Sequence, residues 1–283
     1  MMAARELRVE EKYVLKKKVW GLADGEQRGY GAYGIVRTVS VNGTTCIAKR
    51  IHDILQDPRV PPADRESVRL RFMKECKMLS ELRHPNIVHF VGVHYDKRNY
   101  ISLVMEALDS DLRGFFQRSE PDLSIKLGIL RDVSYGLLHL HSRQPSIIHR
   151  DLNPGNILLT RTLQAKIADL GVSSYLTPSK MQTMAPGAWD YMPPEALLEN
   201  PQYDTSLDIF SFGHVTLCVG THSVVNIPIP CANPGGIRAW GQLSIKRRRE
   251  YLNSIGQKHC LHSLAVECLH DSPAQTTKCT RPV

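Results

Sequence analysis

Apolar residues recur along the chain in two different periods, and the change of period divides it. Two β-rich runs, residues 35–41 and 44–51, flank Asn42-Gly43. That dipeptide accepts the positive φ angles of a tight turn, so the pattern predicts a hairpin. After a proline-rich stretch at Pro58, Pro61 and Pro62, the residues Val68, Phe72, Cys76, Leu79 and Leu82 follow at intervals of three and four. This is the period of an amphipathic helix, and it stops before His84-Pro85. Strand-like runs follow around residues 87–93 and 100–105. Beyond Asp109 the pattern turns helical, with Leu123, Leu127, Leu130, Val133, Leu137 and Leu140 forming one long stripe. A strand-rich segment of roughly 85 residues thus precedes a helix-rich one of roughly 170, which predicts an α+β protein in two lobes with a cleft between them.

Composition narrows the class. The chain has 283 residues, 42% of them hydrophobic and 23% charged, an ordinary globular balance that excludes collagen-like, coiled-coil and wholly disordered readings. The longest apolar run, residues 209–219, is too short to span a bilayer and follows Asp208. Residues 1–22 are a charged lead-in with a possible helical pattern and no apolar stretch of the kind a secretory signal carries. Seven cysteines without a CxxC pair do not make a disulfide framework, so a cytoplasmic location is expected. Cys260-Leu261-His262 and Cys268-Leu269-His270 do not match a standard zinc spacing, and packed helix positions are the plainer reading. The net charge of +8 concentrates near the end, where residues 237–283 hold eight Lys/Arg against three Asp/Glu. Lys246-Arg247-Arg248-Arg249 is the densest run. Without interleaved aromatics it reads as a solvated helix face, not a nucleic-acid patch.

Five strings carry chemistry. Gly29-Tyr30-Gly31-Ala32-Tyr33-Gly34-Ile35-Val36 is a G-x-G-x-x-G-x-V string. A dinucleotide-binding loop would lead straight into a helix. Here a hairpin follows, so the glycines belong to a strand-turn-strand whose backbone can approach phosphates. Lys49 lies on the second strand of that hairpin and shares a face with Ile47. A lysine in so apolar a strand needs anionic partners, and Glu75 on the amphipathic helix is the candidate carboxylate. The remaining strings are His149-Arg150-Asp151-Leu152-Asn153-Pro154-Gly155-Asn156, Ala168-Asp169-Leu170-Gly171 and Met192-Pro193-Pro194-Glu195.

In this order and spacing the set resembles the protein kinase superfamily, from about Asp24 to Gly213 and again near Leu261. Arg83-His84-Pro85-Asn86-Ile87-Val88 and the segment from Asp208 to Gly213 add to the likeness. The resemblance implies a bilobal kinase domain over residues 23–283, with a β-rich lobe over 23–106 and a helical lobe over 107–283 that lacks the family's final helix. It implies ATP and Mg²⁺ as cofactors, protein substrates and no nucleic-acid partner; oligomeric state, substrate protein and upstream activator are not encoded in these motifs. By position, Asp151 corresponds to the base for the substrate hydroxyl, and Asn156 and Asp169 to the Mg²⁺ ligands. Lys49 would hold the α- and β-phosphates, oriented by Glu75, under the loop of Gly29, Gly31 and Gly34. Met105 corresponds to the gatekeeper, and Glu106 and Leu108 to the hinge whose backbone bonds the adenine. Val36, Ile47 and Leu158 would cover the base. His149, Leu170, Leu79 and Phe90 resemble the family's stacked apolar spine. Tyr191-Met192-Pro193 resembles the serine/threonine and tyrosine-kinase-like branches, and the chain as a whole looks closest to the latter.

Several positions depart from the family. Ile47 replaces Ala. Asn153 stands where serine/threonine kinases carry Lys, and Gly155 where many tyrosine kinases carry Arg, so neither auxiliary cation is present. Leu170 replaces Phe, Ala188 replaces Thr, and Thr276 occupies the place of the arginine that pairs with Glu195. Ile47, the two absent cations and the shortened end support a competing reading as a pseudokinase or nucleotide-holding module with little transfer. A tyrosine or dual-specificity kinase is the other alternative. The expectation from the sequence is a slow serine/threonine kinase, accelerated by Asn153→Lys, with Thr183 as a regulatory phosphosite.

Overall fold

A computed structural model describes residues 14–15, 19–20, 27–31, 34–51, 61–95, 101–170, 174–175, 191–193, 204–223 and 234–269. The chain divides into two compact units, Met1–Leu108 and Asp109–Val283, two residues beyond the boundary the resemblance implied.

The first unit is built on a six-stranded antiparallel sheet with a helix. Strands β1 (Val19–Trp20), β3 (Gly34–Val41), β4 (Thr44–Ile51), β6 (Ile101–Glu106) and β5 (Phe90–Tyr95) follow in that order, and β2 (Gln27–Gly31) pairs with the other end of β3. The β3–β4 hairpin turns through Asn42 and Gly43 at φ 53° and 80°, as the dipeptide requires. Period two then puts Val39, Val41, Cys46 and Ala48 on one face. There they bury against Val19 and Val104. Lys49 takes the opposite face of the central strand. Of the charged lead-in, Val14 bridges to Val93 and β1 pairs with β3. These residues are therefore extended and part of the first unit, not a separate helical extension. Ile87 and Val88 precede the strand that the sequence pattern began with them; β5 opens only at Phe90.

Helix α1 (Pro62–Glu81) starts on a proline, whose missing N–H is not needed in a first turn, with Asp64 near its positive end. Its buried face holds Phe72, Met73, Glu75, Cys76, Met78 and Leu79. Each fully buried apolar side chain contributes about 1.5–3 kcal/mol, so the one carboxylate in this row requires a partner.

The second unit begins with β7 (Ser110–Asp111) and continues through α2 (Leu112–Arg118), α3 (Leu123–His141) and β8 (Ile147–Ile148). Strands β9 (Ile157–Leu159), β10 (Ala165–Ile167) and β11 (Ser174–Tyr175) follow, then α4 (Ser206–Thr221), α5 (Pro234–Ile255) and α6 (Cys260–Cys268). β10, β9 and β7 form one small sheet, and β11 pairs with β8. The α3 stripe buries Leu130, Val133 and Leu137 against β9, β10 and α4, and Leu140 is fully buried as well. Leu123, at the helix start, is 44% exposed and leaves the stripe. The apolar run at residues 209–219 is the core of α4, buried on almost every side. No described helix is long and apolar enough to cross a membrane. A Cβ on Gly213 would come within 2.7–2.8 Å of Leu269 and Cys268, so glycine is what lets α6 approach α4.

The basic run differs from expectation at one residue. Lys246, Arg247 and Arg249 are exposed, but Arg248 is 3% exposed and stacks over the Phe210 ring at 5.0 Å. Period 3.6 explains this: α5 faces the core once per turn, and Arg248 falls on that side with Tyr251, Leu252 and Ile255.

Candidate active site

The glycine string forms the hairpin that the sequence pattern required. β2 and β3 pair through Gly29 with Val36 and Gly31 with Gly34, and no helix follows the glycines. Residues 32–33 at its tip lie outside the described residues. Val36 lies opposite Lys49, and Lys49 opposite Leu103, so the lysine is on an interior strand. Its ammonium donates to both Glu75 oxygens, Oε1 at 2.9 Å and Oε2 at 3.2 Å, with Lys49 4% and Glu75 1% exposed. The ionised pair satisfies two charges that burial would otherwise penalise heavily. Burial and the adjacent Glu75 carboxylate push the Cys76 thiol well above its ordinary value, so that cysteine stays protonated and inert.

Ile47 is half-buried and lies between Thr38 and Met105. Met105, Glu106 and Leu108 are half-buried as well. The Glu106 amide donates to the His89 carbonyl at 3.0 Å, and its side chain accepts from the His89 amide at 2.6 Å.

In the second unit the loop from His149 to Asn156 is organised around Asp151. Asn156 Nδ2 donates to the Asp151 Oδ2 and backbone O, each at 2.8 Å. Asn153 Nδ2 donates to Asp151 O at 3.0 Å and Oδ1 at 3.2 Å, while its own Oδ1 accepts from the Gly155 amide at 2.9 Å. Each carboxylate oxygen of Asp151 thus meets an amide donor, which fixes its plane. Asn153 is buried and holds the base in place; that role was invisible while it counted only as a missing lysine.

Beneath this loop lies Asp208, a fully buried carboxylate that the sequence reading used only as family-like context. Its Oδ2 accepts from the His149 amide at 2.8 Å and its Oδ1 from the Arg150 amide at 2.9 Å. His141 Nε2 lies 2.8 Å from Oδ2. Burial pushes this carboxyl up, but the His141 hydrogen bond, its charge and the Arg150 amide outweigh it and hold the group below its ordinary value. The anchor supports a strained loop, in which Arg150 has φ 71°; Asp169, in the segment after β10, has φ 60°, and both are left-handed conformations rare outside glycine. A signal for Asp208 existed, since an acid opening an apolar helix must have partners. Nothing in the sequence named His141 as one of them.

His149 is a packed core histidine, as expected. Its Nδ1 accepts from the Asp151 amide at 3.3 Å, so Nε2 carries the proton donated to the Ala168 carbonyl at 2.9 Å. The Ala168 amide donates to the Asn156 carbonyl at 2.9 Å, which brings Asp169 next to Asn156. With Asn156 Nδ2 committed to Asp151, its Oδ1 and the Asp169 carboxylate are the hard oxygen donors these two segments offer. Such a sparse set suits Mg²⁺, which keeps waters and shares phosphate oxygens, better than a softer metal. Among the described residues no group of three or more His, Cys, Asp or Glu could hold a metal. Cys260 is exposed and Cys268 buried. Leu158 is half-buried on β9 opposite Asp111 and Lys166. Tyr191 is buried, and its carbonyl accepts from Ser211 Oγ at 2.8 Å. Thr183, Ala188, Glu195, His270 and Thr276 lie outside the described residues.

A family model described as the protein kinase domain matches residues 22–229. A protein of Acanthamoeba polyphaga mimivirus named as a serine/threonine-protein kinase/receptor is 32% identical over 192 residues, covering 68% of this chain and 11% of that protein. The cell division control protein 2 homolog 1 of Trypanosoma brucei brucei is 32% identical over 208 residues, 71% of this chain and 64% of its own. The serine/threonine-protein kinase WNK of Caenorhabditis elegans is 34% identical over 192 residues, 65% of this chain and 10% of its own. The chain thus spans less than two thirds of each of these relatives.

Proposed function

The chain belongs to the protein kinase family, and on that premise we propose that it transfers the γ-phosphoryl group of ATP to serine and threonine hydroxyls of protein substrates. The observation that carries the reading is Asp151, its two carboxylate oxygens held by the Asn153 and Asn156 amides. A substrate hydroxyl delivers its proton to Oδ1, the oxygen held at the longer distance. Asn156 Oδ1 and Asp169 hold Mg²⁺, which supplies charge neutralisation at the phosphates when bound. Lys49, oriented by Glu75, binds the α- and β-phosphates in the first unit. In the first unit the backbone of Glu106 and Leu108 bonds the adenine, and Val36 and Ile47 cover it. Positioning and electrostatics account for the catalysis, and no covalent step on the protein is required.

The serine/threonine preference is supported by the names of the relatives and by Tyr191-Met192-Pro193, which also favours the tyrosine-kinase-like branch. A cytoplasmic site of action is part of the proposal, supported by the cysteine content; the five described cysteines are free thiols. A nucleic-acid partner is not part of it, because Arg248 of the basic run is turned into the core.

The test is phosphotransfer by the purified chain from labelled ATP with Mg²⁺ to serine, threonine and tyrosine peptide libraries. Labelled serine and threonine are expected. Labelling of tyrosine alone would overturn the specificity. ATP-dependent thermal stabilisation without transfer to any peptide would overturn the activity in favour of a nucleotide-holding module.

A further inference from the structure

Helix α2 brings an arginine to the edge of the Asp151 loop. Asp111 Oδ1 accepts from the Gly114 amide at 2.7 Å, which starts the helix directly after β7 and packs it against the 3₁₀ turn Pro154–Asn156. There the Arg113 guanidinium passes 3.7–4.0 Å from the point where a Cβ on Gly155 would stand. Asn153 Oδ1 is 3.1 Å from the same point. A Cβ at position 155 would crowd Asn153 Oδ1 and stand in ordinary contact with the guanidinium. Glycine therefore leaves a gap in the loop surface, and a planar cation lies across it.

Arg113 itself is exposed, and among the described residues it forms no ion pair. The acid nearest to it in sequence, Asp111, is turned to the Gly114 amide. Arg118 adds a second positive charge to the same short helix. An exposed cation without a partner contributes little to stability, whereas a guanidinium fork suits recognition of a carboxylate or phosphate.

Its position gives that recognition a place in the reaction. The loop is folded back on Asp151 by the Asn153 and Asn156 side chains, so Gly155 lies near the base it helps to frame. A substrate that presents its hydroxyl to Asp151 and continues past Gly155 in extended form would advance about 3.3 Å per residue. A residue about two to four positions from the phosphoacceptor then comes within reach of the Arg113 side chain. We propose that Arg113 is a specificity-determining residue that selects substrates carrying an anionic side chain at that distance. The inference rests on the kinase reading above and names the substrate class of the same site. The chain lacks auxiliary cations at positions 153 and 155, and this cation, supplied by α2, reads the substrate.

The experiment uses the full chain, ATP, Mg²⁺ and serine peptides in which each of the four positions on either side of the phosphoacceptor is Ala, Glu, phosphoserine or Lys. One position is expected to favour Glu over Ala by about tenfold in kcat/KM, or about 1.4 kcal/mol. Phosphoserine favoured at that position supports the same site, and its ratio to Glu tells whether carboxylate or phosphate fits better. Arg113→Ala is expected to bring the Glu to Ala ratio near one, mainly through KM. Arg113→Lys keeps part of the preference, and Arg113→Glu moves it to the Lys peptide. An anion preference that survives in Arg113→Ala overturns the inference, as does the absence of any preference in the parent. An equal fall in kcat on Glu and Ala peptides also overturns it, because the arginine would then act on the transferred group. Failure to label any peptide overturns the kinase reading and this inference with it, whereas labelling without an Arg113-dependent preference overturns the inference alone.

Discussion

Each unit buries a carboxylate among apolar side chains, and the two solve the same problem differently. In the first, Glu75 on a helix meets Lys49 on a strand, and the pair depends on two side chains from two separate elements. In the second, Asp208 is held by two backbone amides and a histidine, all under one strained loop. A side-chain pair can be replaced by apolar residues without harm to packing, because neither partner is needed to shape the backbone. A carboxylate that satisfies backbone amides cannot, because its loss leaves donors that nothing else accepts. On the proposed function the first arrangement serves binding, and the second serves the conformation of the loop.

The sharpest break of this comparison is Lys49→Met. Phosphotransfer should fall about a thousandfold or more, equivalent to about 4 kcal/mol on the barrier. The same change leaves Glu75 buried alone, at about 3–5 kcal/mol of stability. Lys49→Met with Glu75→Leu should recover that stability in urea denaturation and recover no activity. If the double variant stays as unstable as the single one, the pair is structural and the distinction fails.

Next in size is Asp208→Asn. An amide placed among backbone N–H donors leaves at least one unanswered, at about 2–3 kcal/mol. Activity should fall with it, because Arg150 loses the bond that steadies its left-handed backbone. No second change at a side chain should rescue it. Rescue by an apolar residue would make the two anchors alike.

Acid should separate the units as well. The folded pKa of Asp208 lies below its unfolded value of about 3.9, so its contribution is complete above that pH and is lost as pH falls through the folded value. The stability difference between parent and Asp208→Asn should therefore be constant from neutral pH to about pH 5 and close below about pH 4. A difference that grows on acidification would reverse the sign of the linkage.

The smallest effect concerns position 153. The sequence expectation was that Asn153→Lys speeds the enzyme. Asn153 is buried and tied to Asp151 and the Gly155 amide, so lysine must give up all three bonds. The structure changes the expected sign: kcat should fall about tenfold, with KM for ATP little altered. A faster variant would show that charge outweighs the positioning of Asp151.

Much was legible in the sequence because local rules enforce it. Asn42-Gly43 has few backbone choices, so it marks a hairpin wherever apolar alternation flanks it. Lys49 and Glu75 announce themselves because a charge in an apolar period must be paired, and each was the available partner of the other. Asp151, Asn156 and Asp169 are legible through resemblance, since their spacing alone does not reveal which side-chain atoms meet.

The tertiary structure decided what depends on contacts between distant segments. His141 and Asp208 are 67 residues apart and meet only because α3 and α4 pack together. Arg248 looked solvated within its basic run, and the rotation of α5 about its axis turned it onto Phe210. Arg113 carries no motif at all, and it gains a candidate role because α2 lays it beside a glycine 42 positions later. The period of a sequence fixes which residues share a face of their own element. Which face meets which neighbour is set by packing the elements together, and the second set of contacts in the site came from that step.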